Sequence, residues 1–130
     1  MINHLLILIS GVISGFIIFQ SAINAPLLFK TLPIDQARPF LRSVFPILFN
    51  VNAILASVMV ILAIIFDTAF ITLVITVLTV ILSTMCALLV PATNRAADTN
   101  DDSGFKRLHH ISVTLTIVVL LANITLPFVL

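Results

Sequence analysis

Four long hydrophobic stretches, separated by short polar segments, make up most of the chain. They cover residues 3–25, 44–66, 69–90 and 105–129. The hydrocarbon core of a bilayer is about 30 Å thick, and about 20 apolar residues of α-helix cross it. Each stretch is therefore long enough to span a membrane. The pattern predicts an all-α integral membrane protein, a four-transmembrane-helix bundle with up-down-up-down topology.

Two of the connecting segments are polar and long enough to have a structure of their own. Residues 31–43 carry charged side chains beside Phe40, which is typical of an amphipathic piece that lies in the membrane interface. Proline lacks an amide hydrogen and interrupts helices, so Pro26 is expected to end the first helix and Pro91 the third. Residues 91–104 are accordingly predicted to form a polar loop.

The positive charges predict the orientation of the bundle. Lys and Arg are retained on the cytoplasmic side of membranes, so segments that carry them are expected inside, with both chain termini outside. We therefore expect an inner (plasma) membrane protein with cytoplasmic basic loops. All six basic residues lie in or beside the two polar segments: Lys30, Arg38, Arg42, Arg95, Lys106 and Arg107.

Composition narrows the class further. The chain is 61% hydrophobic and only 8% charged, whereas soluble domains are about 25% charged. Four crossings use most of the 130 residues, so we expect a single membrane domain over residues 1–130 and no nucleic-acid partner. A lone cysteine, Cys86, cannot form an intramolecular disulfide and disfavours a metal thiolate site, and we interpret it as a packing residue.

Small and hydroxyl-bearing residues recur at helical spacing and predict where helices meet. In lipid, helices associate through close backbone approach and hydrogen bonds, because apolar contact with a neighbouring helix gains little over contact with lipid. The first helix has a G-x-x-x-G pair and the third a stripe of threonines and a serine. The predicted helix-packing residues are Gly11, Gly15, Thr72, Thr76, Thr79 and Ser83.

Polar side chains are concentrated in the half of the bundle near the basic segments. A buried amide without a hydrogen-bond partner costs several kcal/mol, so these groups are expected to face one another or water in a pocket that opens inward. Mutual hydrogen bonding between helices is the alternative interpretation. The candidate ligand-binding residues are Gln20, Asn24, Asn52, His109, Ser112 and Thr116.

The two adjacent histidines are expected to behave differently. Residues next to each other on a helix point about 100° apart, and the spacing to Ser112 and Thr116 places His109 on their face. We expect His109 to point inward and form a hydrogen bond, either anchoring a ligand or tying the fourth helix to the first two. His4 lies near the opposite surface, about 30 Å away, which disfavours a shared metal or haem site. No catalytic residue, metal or cofactor is predicted.

Short motifs along the chain resemble a known membrane family. Phe105–Ser112 reads F-x-x-L-H-x-x-S, which resembles the signature at the head of the last helix in the small four-helix family that includes transmembrane protein 205. Further anchors that are similar to that family are Ala25–Phe29, Leu32-Pro33, Phe45–Phe49 and Pro91–Arg95. The resemblance implies a four-helix architecture and no established biochemical activity.

The functional expectation is a non-catalytic accessory protein or a small-ligand-binding bundle, with the ligand unknown. The main alternative is a membrane enzyme that acts on a hydrophobic substrate. Asn94-Arg95 after the third helix and a histidine in the final segment are similar to features of anthrone oxygenases. A transporter component is a third class. The lipid bilayer is the expected partner, and a homo-oligomer or a larger membrane complex is left open.

Overall fold

Four long helices account for nearly the whole chain in the computed structural model, which describes Met1–Leu130. They confirm an all-α fold without strands, and each is long and apolar enough to cross a membrane. The last turn of the fourth helix is a 3₁₀ turn, Leu126–Phe128. We label the helices α1 (Ile2–Thr31), α2 (Ile34–Ile65), α3 (Phe70–Asp98) and α4 (Asp102–Phe128).

Consecutive helices run antiparallel because their connections are short. The turn after α2 contains Asp67 with φ 46° and the turn after α3 contains Asn100 with φ 54°, a left-handed conformation that Asp and Asn tolerate. Asn3 Nδ2 donates to the carbonyl of Leu130 over 3.4 Å, so the two chain termini lie together. We call this the terminal end of the bundle, and the opposite end, which carries the six Lys and Arg residues, the basic end.

The helices continue at the basic end well beyond their predicted limits. Helix α2 begins at Ile34, so the predicted interfacial segment 31–43 is mostly the first turns of α2. Helix α3 continues to Asp98, so the predicted loop 91–104 is helical apart from residues 99–101. Both predictions of these boundaries were wrong.

Contacts between the extended turns explain why they stay helical. Ala37 and Leu41 of α2 and Ala96 of α3 are buried. Arg42 and Asp98 form an ion pair that joins the same two helices. Proline inside a helix removes one backbone hydrogen bond, a loss that membrane helices accommodate through neighbouring groups. Packing therefore outweighs the interruption, and α2 passes through Pro39 and Pro46 and α3 through Pro91.

Helix α1 passes Pro26 by a different route. Residues Phe19–Asn24 form a π-helical turn, in which the Ala25 amide donates to the carbonyl of Gln20, five residues earlier. The proline ring would clash with the carbonyl four residues before it in a regular α-helix, and the wider π turn relieves that clash. The helix therefore ends at Thr31, whereas the sequence predicts an end at Pro26.

The apolar core lies in the terminal half, and the exterior is also apolar. Leu6, Ile13, Met59 and Leu126 are fully buried where the helices meet. On the outside, large side chains such as Leu88, which is 73% exposed, cover the surface. An apolar exterior around hydrogen-bonded helices is what a bilayer requires.

Candidate functional site

Buried polar side chains follow the axis of the bundle from the terminal end to just beyond its middle. All four helices contribute to this set. The set comprises Ser10, Ser14, Gln20, Asn52, Thr72, Thr76, Thr79, Ser83 and Asn123.

In the terminal half, one pair of these groups joins two helices. Asn123 Nδ2 of α4 donates to Thr79 Oγ1 of α3 over 3.0 Å and to the carbonyl of Val119 over 2.9 Å. Thr79 Oγ1 in turn donates to the carbonyl of Ile75 over 2.9 Å. Amide and hydroxyl groups therefore form a link between α3 and α4 in the buried interior of the bundle.

Nearer the basic end, a second polar group lies where all four helices meet. We call Asn52, Ser83, Cys86 and Thr116 the central polar cluster; together with three apolar side chains they surround a small space. Cys86 Sγ lies 3.7 Å from the Ser112 carbonyl and 3.8 Å from Thr116 Oγ1. The space leaves no room for a water molecule. The apolar side chains are Ile17, Phe49 and Val119.

Two amides beside this space have hydrogen-bonding capacity that the protein does not use. Asn52 Oδ1 is buried without a partner, and so is Gln20 Nε2, although Gln20 Oε1 accepts from Asn24 Nδ2 over 2.7 Å. Gln20 lies one turn from Ile17, which lines the space. One group is an acceptor and the other a donor, so a hydroxyl, which can donate and accept, complements both.

The basic half has an opening in its side, between α1 and α4. The backbone of α1 lies close to α4 over Ile2–Ile18, and the rest of α1 makes no comparable contact with α4. The face of α4 that α1 no longer covers becomes steadily more exposed towards the basic end. Along it, Val119 is buried, Thr116 and Ser112 are half-buried, and His109 and Phe105 are exposed. These five residues recur every three or four positions and so share one face.

His109 lies on this face, but it is not enclosed and hydrogen-bonded as the sequence predicts. Its ring stacks on Phe105, with centroids 5.8 Å apart and planes 5° apart, and it forms no hydrogen bond. The prediction of an enclosed, hydrogen-bonded His109 was wrong because α1 has left α4 at this depth. His110 is exposed, and its Nδ1 lies 2.7 Å from the Lys106 carbonyl. No group of three or more His, Cys, Asp or Glu side chains could hold a metal ion.

The first helix packs through a different face from the one its glycines predict. Gly11 and Gly15 are exposed, and a Cβ added at either would meet nothing within 4 Å, so neither forms a helix contact within the chain. Helix α1 instead turns Ser10, Ser14 and Gln20 inward. Exposing polar groups to hydrocarbon costs more than exposing glycine, and the serines are themselves small and four residues apart.

The structure thus joins some of the predicted site residues and separates others. Asn52 and Thr116 share the central polar cluster, and Gln20 and Asn24 are bonded to each other nearby. Ser112 contributes its carbonyl, while His109 stays outside. From the sequence, Ser83 and Cys86 were assigned to packing alone. Cys86 follows Ser83, the last residue of the threonine and serine stripe, by three positions, and this spacing was the signal that Cys86 lies on the same helix face. The four predicted packing residues of α3, Thr72, Thr76, Thr79 and Ser83, are all buried.

Comparison with known proteins gives a family without an assigned activity. No curated protein and no solved structure matches the chain. The model of the family described as "Domain of unknown function (DUF4149)" matches residues 8–102, which include α1, α2 and α3 as far as the start of α4. That match covers well over half of the chain. This multi-pass membrane protein therefore belongs to the DUF4149 family.

Proposed function

We propose that the protein is a non-catalytic membrane protein that binds a small ligand with an apolar body and a hydroxyl group. The ligand reaches the central polar cluster through the side opening between α1 and α4. The observation that carries the proposal is Asn52 Oδ1, which is almost fully buried at the junction of four helices without a hydrogen-bond partner.

Adhesion between helices does not account for Asn52. The nitrogen of an adhesive amide donates to a neighbouring helix, as Asn123 Nδ2 does to Thr79, although Asn123 Oδ1 has no partner; the Asn52 side chain makes no hydrogen bond at all. A buried acceptor without a partner costs roughly 1–3 kcal/mol, so leucine at this position would hold the helices together better. A residue that lowers stability in this way is expected where the protein binds something. Gln20 Nε2 on α1, one turn from Ile17, is an unpartnered donor, and a hydroxyl, which can donate and accept, complements the chemistry of both groups.

The surroundings of the opening favour a ligand that comes from the bilayer. Phe19 and Ile23 of α1 and Phe105 of α4 are exposed apolar side chains in the same half of the bundle. The cluster itself has no room even for water, so binding requires α1 to move away from the other helices. The π-helical turn Phe19–Asn24 lies at the depth of the opening, and such turns are frequent at functional sites.

A photoreactive probe tests the proposal. A long-chain alcohol that carries a diazirine should label residues 20–24 and 109–116 of the reconstituted protein, and an unlabelled alcohol should compete. Asn52→Leu should reduce this labelling roughly fivefold, the equivalent of one hydrogen bond. Asn50→Leu, two residues away on the exposed surface, is the matched control and should label normally.

A diazirine alkane without a hydroxyl serves as the second probe, because it reports lipid contact alone. It should label the exterior of the wild type and of Asn52→Leu equally. Equal alcohol labelling of the Asn52→Leu and Asn50→Leu variants, or an alcohol pattern identical to that of the alkane, would contradict the proposal.

We propose further that the basic end is cytoplasmic and that the membrane is the inner (plasma) membrane. The distribution of Lys and Arg supports this orientation, because none lies at the terminal end. A Thr99→Cys variant in a Cys86→Ala background should resist membrane-impermeant thiol reagents in intact cells and react after lysis. Labelling of intact cells would reverse the orientation.

Two finer relationships also remain proposals. The motifs of α1, α2 and α4, with Phe105–Ser112 foremost, support kinship with the family that includes transmembrane protein 205. The apolar exterior would accommodate a second copy or another membrane protein as well as lipid. Native mass spectrometry of the protein released from nanodiscs would reveal the number of subunits and any retained partner.

A further inference from the structure

One amide lies on the outer surface of the bundle, on α2 and away from both ends. Asn50 is exposed. It points away from the buried Asn52 and Met59, two and nine residues further along, because each residue of a helix turns the side chain by about 100°. Ser43 and Ser57, seven residues to either side of it, each donate to a carbonyl of α2 itself. The Asn50 side chain forms no hydrogen bond within the protein.

The level of Asn50 falls inside the hydrocarbon of a bilayer. At 1.5 Å per residue it lies about 12 Å along α2 from Arg42, and about 22 Å from the end of the helix at Ile65. Arg42 is paired with Asp98, and charged groups belong outside the hydrocarbon. The two distances together little exceed the hydrocarbon thickness of about 30 Å. Asparagine lacks the long stem with which lysine and arginine reach the headgroups.

The other exposed amides of the protein lie where water reaches them. Asn3 and Gln36 belong to the first turns of α1 and α2, and Asn100 lies in the turn after α3. Lipid chains offer Asn50 neither a donor nor an acceptor. An unpaired amide in hydrocarbon is strongly unfavourable, and amides in membrane helices commonly pair across helix contacts. Asn50 therefore requires a partner outside its own chain.

A second copy of the chain carries the complementary group at the required depth. An amide offers both a donor and an acceptor, so two amides can pair with each other. Two copies with the same orientation, related by a two-fold axis along the membrane normal, present Asn50 at identical depth, and such an axis makes a surface meet itself. A different partner would need a polar group of its own at that level.

The side chains around Asn50 suit a contact between two parallel α2 helices. Ile47, Ile54 and Ile61 recur every seven residues and are 56–64% exposed. Asn50 follows the first of them by three positions, so the isoleucines and Asn50 occupy the a and d positions of a heptad. Isoleucine at a favours two strands, and a single asparagine in the seam fixes the register. In a parallel pair d faces d, which brings the two Asn50 side chains together.

We propose that two copies of the protein associate in the membrane through the outer face of α2 around Asn50. The amides pair across the two-fold axis, and the isoleucines pack above and below them. The buried face of α2 keeps its contacts within each bundle, so association leaves the fold of each copy unchanged. The contact is also separate from the proposed ligand site, because Asn52 of the central polar cluster lies on the opposite side of α2.

Energy transfer between donor-labelled and acceptor-labelled full chains, reconstituted together in phosphatidylcholine vesicles, measures association. Transfer in the wild type should decline as lipid dilutes the protein. Asn50→Leu should weaken association roughly fivefold, the equivalent of one hydrogen bond. Asn50→Gln keeps the amide and should retain most of the association. Thr84→Leu, a polar-to-apolar exchange on the exposed surface of α3, is the matched control and should associate like the wild type.

Cysteine cross-linking locates the contact. In a Cys86→Ala background, Ile54→Cys should form a disulfide-linked dimer in vesicles treated with a membrane-permeant oxidant. Ile81→Cys, on the exposed surface of α3, should form far less. A monomeric wild type at high protein density, an Asn50→Leu variant that associates like the wild type, or equal cross-linking at the two positions would overturn the proposal. In dilute detergent, with one chain per micelle, Asn50→Leu should unfold like the wild type, which verifies its fold.

Discussion

The terminal half and the middle of the bundle use similar polar residues in different ways. In the terminal half, α1 stays close to α4, and Asn123 Nδ2 donates twice to groups on α3 and α4, although its Oδ1 has no partner. At the middle of the bundle, where Ile17 of α1 and Thr116 of α4 line the same space just before α1 leaves α4, Asn52 forms no hydrogen bond through its buried oxygen. An asparagine that joins two helices stabilises the fold. An asparagine of equal burial without a partner weakens it, and is the better candidate for binding.

Removing Asn123 should have the largest effect on stability. Asn123→Ala loses two hydrogen bonds and leaves a cavity between α3 and α4, so we expect the free energy of unfolding to decrease by about 2 kcal/mol. Reversible unfolding in mixed detergent micelles measures it, with Asn50→Ala on the exposed surface as the control. Equal stability of the two variants would remove the distinction between the terminal half and the middle of the bundle.

Replacing Asn52 should change the free energy of unfolding in the opposite direction. Asn52→Leu exchanges a buried, unpartnered amide for an apolar side chain of similar size, so the free energy of unfolding should stay constant or increase by about 1 kcal/mol. The same unfolding assay measures it, and Asn50→Leu is again the control. A loss of stability comparable to that of Asn123→Ala would show that Asn52 is adhesive and would weaken the case for a ligand site.

The ion pair at the basic end should contribute less. Both partners are partly exposed, with side-chain exposures of 36% for Arg42 and 59% for Asp98, and pairs of this kind contribute about 0.2–1 kcal/mol. We expect Arg42→Gln and Asp98→Asn each to lower the free energy of unfolding by roughly 0.5 kcal/mol, and a double-mutant cycle to give a coupling that salt reduces. Additive effects would mean that the extended turns of α2 and α3 depend on packing alone.

Changing Gly15 should have the smallest effect. A side chain there meets open space, so Gly15→Leu should leave the midpoint of thermal unfolding in detergent unchanged. Ser14 is 8% exposed on the neighbouring face of α1, and Ser14→Leu should destabilise the bundle through overpacking. A loss in Gly15→Leu alone would indicate that this face of α1 contacts a second copy of the chain.

The prediction of helices from the sequence succeeded where it depended on hydropathy and failed where it depended on single prolines. Spans of about 20 apolar residues require a bilayer, and the four helices were identified on that basis. Pro26 and Pro91 marked expected interruptions, yet the helices continue through both. A proline destabilises a helix through its local steric preference. The burial of Ala37 and Ala96 offsets this destabilisation in α2 and α3, and the π turn before Pro26 offsets it in α1.

The sequence by itself determined the class of protein, the number of helices and the end at which the positive charges lie. These properties follow from composition summed over many residues, and no single contact alters them. Only the tertiary structure decided which face of α1 is buried, that His109 is open while Asn52 is enclosed, and which amides lack partners. Those outcomes depend on where α1 separates from α4. Rotating or tilting one helix in lipid changes little apolar contact energy, so a few hydrogen bonds and small residues decide its position.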